Sequence, residues 1–455
     1  MTSLAQRISP MGRDEVDLET RSTRARMRED PSTTNRTRNQ YDARENWNPS
    51  MSQQTELQLP SRRRWLILSS VLTSRIIYTI NWFNLAPLIG ENGVLRSVLG
   101  IDQFSQQVLT SSFLLGAGIF QIPAGIISAR WGPKNTSQLG MTILSLSGIG
   151  EGLSPNFTLL LFSRFMLGLG AALFFAPAIG ILTSLFRHDE EGLVLGLYNS
   201  CFNIGGAIGL FGWVIVTDLM GWSLGLVFGG VIGIVSVVIG QIVIPRDQPS
   251  RAVERRSMKP VLKNRNIWLI ALGVLGLWGS IFSASNLLEA YMHDTFGLAG
   301  LISGFMASLI MFASIFGGPV GGRLSDRYRR RKIFILIPGI ITSLGVILFG
   351  VSQPLELWFL IPLVGFMDAI VFSTMYASAS QYPEVGREYA PLGISIINSV
   401  QILGAFPIPI IFGLLLTVYG NYSPGWFFMG GLSLAMMMLI LLIQEPFQAN
   451  SKKSS

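Results

Sequence analysis

Gly322-Arg-Leu324-Ser-Asp326-Arg327-Tyr-Arg-Arg330-Arg331 is a short basic stretch set between two apolar runs, 300–322 and 333–353. A helix needs about 20 apolar residues to cross the roughly 30 Å of hydrocarbon in a bilayer, and both runs have that length. Inside lipid the backbone has no water to bond, so a long apolar run is threaded through as a helix. The basic stretch therefore reads as a tight connector on one face of a membrane. The chain holds a second version of it. A slide of 197 positions lays Gly125, Ile127, Ser128, Arg130, Trp131 and Lys134 over Gly322, Leu324, Ser325, Arg327, Tyr328 and Arg331. A slide of 199 lays Asn199, Ser200 and Gly205 over Asn398, Ser399 and Gly404. Two local matches at nearly equal offsets mark a duplicated unit.

Outward from these connectors the alternation continues, giving spans at 65–89, 104–128, 137–155, 157–186, 192–217, 222–244, 266–292, 300–322, 333–353, 356–380, 390–419 and 423–444. Only Ser154, Pro155 and Asn156 separate the third from the fourth, and the count of twelve rests on that turn. Lys and Arg gather on alternate connectors, the bias that marks the cytoplasmic side. Of the 34 present, only Arg96 falls on the opposite side, while Arg75 and Arg164 lie inside spans. The pattern predicts both termini in the cytoplasm. Residues 1–60 mix nine Arg with nine Asp or Glu and have almost no aliphatic periodicity, so they are expected to be a disordered cytoplasmic tail. The remaining organisation is a six-helix bundle over 61–244, a basic cytoplasmic linker over 245–265, a second six-helix bundle over 266–446 and a cytoplasmic tail over 447–455. The first span begins near Trp65, too far in for a cleaved leader, and is read as retained.

Composition narrows the function. With 49% hydrophobic and 13% charged residues the chain lacks the charge to coat a water-facing surface, and lipid is its expected partner. The net charge of +8 is spread over connectors rather than gathered on a solvated domain, which argues against nucleic acid. Cys201 is the single cysteine, so no intrachain disulfide or zinc cluster is available, and it is expected to pack between helices. His188 and His293 both sit beside loops, with no nucleophile–base pair or metal-ligand cluster in view. An enzyme and a cofactor or metal are therefore not expected. A single chain with a duplication and no filter-like segment is unlike an ion channel.

The stretch from Gly322 to Arg331 resembles the cytoplasmic loop signature of the major facilitator superfamily, Gly-x-Leu-x-Asp-Arg followed by basic residues. Its first-half counterpart, Gly125 to Lys134, keeps the glycines and basic residues but has Ala129 at the aspartate position. Arg164-Phe-Met-Leu-Gly168-Leu-Gly170 is similar to the fourth-helix signature of the same family. The resemblance covers about Arg62 to Pro446 and implies an all-α membrane protein of twelve helices in two pseudo-symmetric six-helix bundles. More narrowly, Gln121-Ile-Pro123-Ala-Gly125, the segment Ser163 to Pro177, and Gly196-Leu-Tyr-Asn199-Ser200 resemble the anion:cation symporter branch. The chain departs from that branch in having Ile80 and Asn81 where it carries an Asp-Arg pair, and Ala171 where it carries a glutamate. Gly209-Leu210-Phe211 replaces the Gly-Pro signature associated with antiporters, which points to uniport or symport.

Charges inside spans are the candidate functional groups, since each costs about 2.5–3.5 kcal/mol at mid-bilayer on insertion scales. Arg75 lies near the middle of the first span, with Tyr78, Thr79 and Trp82 at i+3, i+4 and i+7. That stripe reads either as a site for an anionic or polar solute or as a structural arginine with its partners. Asp368 lies at the centre of the tenth span. A carboxylate that meets water alternately from two sides can carry a proton, and a helix-packing hydrogen bond is the other reading. The family architecture lines its cavity with helices 1, 4, 7 and 10, which implies that Arg75 and Asp368 face each other from opposite halves. Asn199 with Asn203, and Asn398 with Gln401, are amides that either line a cavity or join helices. Arg164 and Gly168 are read as packing against the first helix, and Glu289 as reaching water at the outer end of its span. Gly322, Asp326, Arg327 and Arg330 are expected to hold the cytoplasmic helix ends in one conformation and release them in another.

The leading expectation is a secondary transporter in the plasma membrane, acting as a monomer. It would move a small polar or anionic organic solute by alternating access, with a coupling proton. The rival is a transporter-like sensor or assembly factor that binds a ligand or partner without net flux.

Overall fold

Asp102, Asn156 and Asn264 each start a long helix by accepting hydrogen bonds from backbone amides of the first turn, at Ser105, Leu159 and both Asn266 and Ile267 respectively. The bonds from Ser105 hold the Asp102 carboxyl below the usual carboxylate range. The computed structural model describes residues 61–186, 190–245, 259–379, 381–382 and 385–446. The tail expected over 1–60, most of the 245–265 linker and the tail expected over 447–455 lie outside the described residues.

Among the described residues twelve membrane helices follow in order. They are α1 Ser61–Trp82, α2 Gln103–Trp131, α3 Pro133–Gly152, α4 Phe157–Leu185, α5 Glu191–Met220 and α6 Trp222–Val243 in the first half. The second half has α7 Arg265–Phe296, α8 Gly300–Tyr328, α9 Arg331–Phe349, α10 Pro354–Ala379, α11 in two pieces, Gly386–Ala405 and Pro407–Tyr419, and α12 Ser423–Met437. Among the described residues, eleven helices are long and apolar enough to cross a bilayer by composition. The twelfth is α3, which is less apolar because it is wrapped in protein. Lys134, Thr136, Ser137, Gln138, Ser145 and Glu151 are all buried on it, against α4 and α6.

Boundaries shift where backbone chemistry demands. The first helix stops at Trp82, earlier than the expected 89, and continues through a turn into a 3-10 piece, Ala86–Leu88, that contains Pro87. The eleventh is broken at Phe406 because Pro407 has no N–H to continue the ladder. The turn at Ser154, Pro155 and Asn156 does separate α3 from α4.

Within each half the same neighbours pack: α2 on α4, α3 on α4 and α6, α1 on α5 and α6, and correspondingly α8 on α10, α9 on α10 and α12, α7 on α11 and α12. Between halves the main seams are α2 with α11 and α5 with α8, which exchange under the six-helix repeat. Glycines permit the closest approaches. A Cβ at Gly168 would sit 2.1 Å from the Phe113 carbonyl oxygen on α2, and one at Gly365 would sit 1.9 Å from the Ile310 carbonyl oxygen on α8. The outer surface inverts the pattern of a water-soluble fold, with Leu219, Ile242, Leu355 and Phe359 among many large apolar side chains left exposed to lipid.

Candidate functional site: a charged, ring-lined cavity between the halves

The first helix carries Arg75 inward at mid-span, where the side chain is buried. Its guanidinium carbon lies 4.6 Å from the centroid of Tyr198, 4.7 Å from Tyr78, and 4.9 Å from both Phe175 and Phe202. These rings, from α1, α4 and α5, stabilise the cation through their electron-rich faces. Nε and Nη1 are sealed off without a hydrogen-bond partner among the described residues. Nη2 is not sealed in this way, and Arg75 lines a cavity of about 680 Å³ between the two halves.

Asp368 on α10 lines the same cavity from the other half, is buried, and keeps Oδ1 without a partner. Two turns along α10, Tyr376 lies within electrostatic reach of both Arg75 and Asp368, and its hydroxyl donates to Asn398 Oδ1 at 3.3 Å. Trp82, Asn199, Asn203 and Asn398 also reach the wall. Helices other than 1, 4, 7 and 10 contribute too, including α5 through Asn199 and α11 through Asn398.

Two expected wall residues are elsewhere. Thr79 is fully buried against Gly205 of α5 and donates to the Arg75 carbonyl oxygen at 3.0 Å. At about 100° per residue, i+4 lies about 40° to one side of Arg75 while i+3 and i+7 lie on the other. The stripe that meets the cavity is therefore Arg75, Tyr78 and Trp82. Gln401 is likewise turned away, its Nε2 donating to Met375 Sδ at 3.3 Å, while Ile402 takes the wall position beside Asn398.

Arg164 is fully buried and outside the cavity. Its Nη1 donates to Asn84 Oδ1 at 2.7 Å and pairs with Glu151 at 3.4 Å, and its Nη2 donates to the Trp82 carbonyl oxygen at 2.9 Å. Asn84 Nδ2 donates to the other Glu151 oxygen at 2.6 Å. The network satisfies the Trp82 carbonyl freed where α1 unwinds, tying α1, α3 and α4 together. Glu151 is a site residue that the sequence reading passed over, although an acid inside an apolar run was a signal for it. Glu289 does not reach water as expected. It is buried and accepts from Ser303 Oγ at 3.3 Å.

At the basic face Asp326 pairs with Arg331, not with Arg327 or Arg330. Arg329 adopts a left-handed φ of 52°, which starts α9 at Arg331 and folds that side chain back over the end of α8. Arg331 is buried, reaching Ser325 Oγ and, at 3.1 Å, Gln381 Oε1, whereas Arg327 and Arg330 are exposed. Gly322 sits on the cavity wall with no atom where a Cβ would clash. Lys134 and Lys332 cap matching helix ends, donating to carbonyls of Gln241 and Ile244 and of Leu441 and Ile443.

The cavity runs from Trp82 and Phe282 to Leu193, Arg323 and Asp326, and so opens toward the basic face. The opposite end is closed by rings from both halves, with Trp82 and Phe113 at 4.6 Å and Phe113 stacked on Phe282 at 6.0 Å. Beyond them Asp294 of α7 accepts from the backbone N–H groups of Glu91 and Asn92, from Asn92 Nδ2 and from the Tyr422 hydroxyl, at 2.6, 3.2, 3.0 and 2.7 Å.

Residues 71–390 match the model of the family described as Major Facilitator Superfamily. The chain is 22% identical to the nitrite extrusion protein of Bacillus subtilis over 402 residues, 86% of this chain and 98% of that one. It is 24% identical to a probable L-galactonate transporter of Escherichia coli over 400 residues, 81% and 87% of the two chains. A crystal structure of a bacterial homologue of the human lysosomal transporter Spinster superposes with a TM-score of 0.69 at 15% identity, covering 86% of this chain and 98% of the other.

Proposed function

The chain belongs to the Major Facilitator Superfamily, and from that premise we propose that it carries a small organic anion between the two faces of the plasma membrane, held at Arg75 and linked to a proton on Asp368. It is a multi-pass membrane protein and a secondary transporter of a small solute. The single observation that carries the proposal is Arg75, a buried cation on the wall of a closed-ended cavity, with Nη2 the one guanidinium nitrogen that is not sealed away without a partner. A carboxylate or similar group supplies the missing acceptor as a charge-assisted hydrogen bond. Relatives named for nitrite and for galactonate fit an anionic cargo. Asp368, facing the same space from the other half, is the group that takes up or releases a proton as the cavity changes sides.

In this reading the basic face is cytoplasmic, both termini lie there, and the chain acts as a monomer. Uptake of labelled carboxylates into proteoliposomes tests the proposal. An imposed proton gradient should drive accumulation in the native protein, and Asp368→Asn should abolish the drive while solute-for-solute exchange continues. Accumulation that ignores Arg75→Gln would remove the anion site from the account, and pH-driven uptake that survives Asp368→Asn would remove the proton role.

A further inference from the structure

We infer that the preferred cargo is a monocarboxylate with a flat apolar body, seated with its carboxylate on Arg75 and its body against Trp278. The inference rests on Arg75 being the anion site and adds the chemical class that the rest of the cavity selects.

The head group is limited by geometry and by charge. Because Nε and Nη1 are sealed among rings, Arg75 offers Nη2 alone, and the two-pronged grip that suits a flat inorganic oxyanion is not available. The charged side chains on the wall are Arg75 and Asp368 in the interior and Arg323 and Asp326 at the mouth. A second carboxylate on the cargo would enter an interior whose one cation is already engaged, and an uncompensated charge in such a place is costly.

The body is limited by a column of rings. Phe113 and Phe282 lie within 11° of parallel at 6.0 Å, and Phe282 and Trp278 within 7° at 5.5 Å. Phe113 and Phe282 are buried, whereas Trp278 is half-buried and lines the cavity. The column thus ends at an indole beside open space, where one more flat group continues the stack. Ile281, Met311 and Ile315 make an apolar wall on α7 and α8, the side of the cavity that carries Trp278, whereas the amides of Asn199, Asn203 and Asn398 stand on α5 and α11.

The test uses the full chain in nanodiscs and calorimetric binding of four probes: 3-phenylpropionate, propionate, nitrate and galactarate. The expected order puts 3-phenylpropionate about tenfold or more ahead of each of the others, and Arg75→Gln should abolish its binding. Trp278→Ala should shrink the ratio of phenylpropionate to propionate affinity to about threefold or less, and Trp278→Phe, which keeps a ring, should restore most of it. Arg75-dependent binding led by galactarate or nitrate would overturn the inference and leave the anion site standing. So would a ratio that Trp278→Ala does not change. Binding of phenylpropionate that Arg75→Gln leaves intact would instead overturn the anion site, and binding of none of the four would overturn both.

Discussion

Arg75 shows how a charge is kept in a place that disfavours it. Insertion costs about 2.5–3.5 kcal/mol at mid-bilayer, and each of the four rings around it returns about 0.5–2 kcal/mol when water is excluded. A planar guanidinium can lie among four rings while aiming one N–H outward, which a compact ammonium cannot. Arg75→Lys is therefore expected to lower transport about tenfold or more while leaving the thermal unfolding midpoint near that of the native protein. Transport at the native rate would show that charge alone suffices. Arg164 presents the opposite case, a cation whose partners are all protein. Removing Glu151 strands it in the interior, and Glu151→Ala is expected to destabilise the fold by about 3–5 kcal/mol, with the double variant Glu151→Leu with Arg164→Met regaining part of the loss. Denaturation of the native protein, Glu151→Ala and the double variant in the same detergent checks this, and a double variant no more stable than Glu151→Ala would deny the coupling. The contrast explains what was legible at this scale. Arg75, Tyr78, Trp82 and Asp368 stand out because charged and aromatic residues at helical spacing in an apolar run are uncommon. Thr79 and Gln401 were assigned by spacing alone, which places a residue within a sector of about 100° but does not say which neighbour lies there. Tyr198, Phe175 and Phe202 could not be read as a cage, because rings in a span are ordinary until a third helix brings them around one cation.

Helices reveal their existence through length and apolarity, and their depth of contact through small residues. Gly168 on α4 and Gly365 on α10 occupy matching places in the two halves, each letting a carbonyl of the neighbouring helix approach within 2.1 Å and 1.9 Å of where a Cβ would be. Because the obstacle is backbone in both cases, no rotamer change relieves it. Gly365→Ala is expected to force α8 from α10, to cost about 1–3 kcal/mol, and to reduce transport more than stability through the displacement of Asp368 three residues on. Thermal unfolding alongside uptake measures both, and an alanine variant indistinguishable in the two assays would refute the close approach. The elements themselves were largely readable, since lipid demands long apolar helices and the basic connectors punctuate them. What was not readable has physical causes. The third helix hides its span because seven polar side chains, the six named above and Ser147, face protein rather than lipid. The kink at Pro407 and the early end of α1 depend on where carbonyls freed by the break find new donors, as the Trp82 carbonyl oxygen does at Arg164.

A carrier must close one face while the other is open, and here the closing is done by contacts that join sequence positions some 200 apart, beyond the reach of local pattern. The loop after α1 belongs to the first half, and Asp294 and Tyr422 to the second. The Asp294 carboxylate gathers two backbone amides and one side-chain amide of that loop, and the Tyr422 hydroxyl as a fourth donor. The three bonds to the loop cross between the halves and hold while the face opposite the basic one is shut, so they bias the equilibrium by whatever they are worth in that state alone, whereas the Tyr422 bond lies within the second half. Hydrogen bonds to a charged acceptor contribute about 1.5–3 kcal/mol each. An amide in place of the carboxylate loses the charge and one accepting atom. Asp294→Asn is therefore expected to shift the population toward the form open at that face by about tenfold or more. Spin labels at Ser97 and Asn421, both exposed on that face and in opposite halves, report the separation directly once Cys201 is replaced by serine. The native protein should give one short distance and Asp294→Asn a second, longer one. Identical distance distributions would mean that the ring seal formed by Trp82, Phe113 and Phe282 holds the face shut without the latch, and that Asp294 only orders the loop.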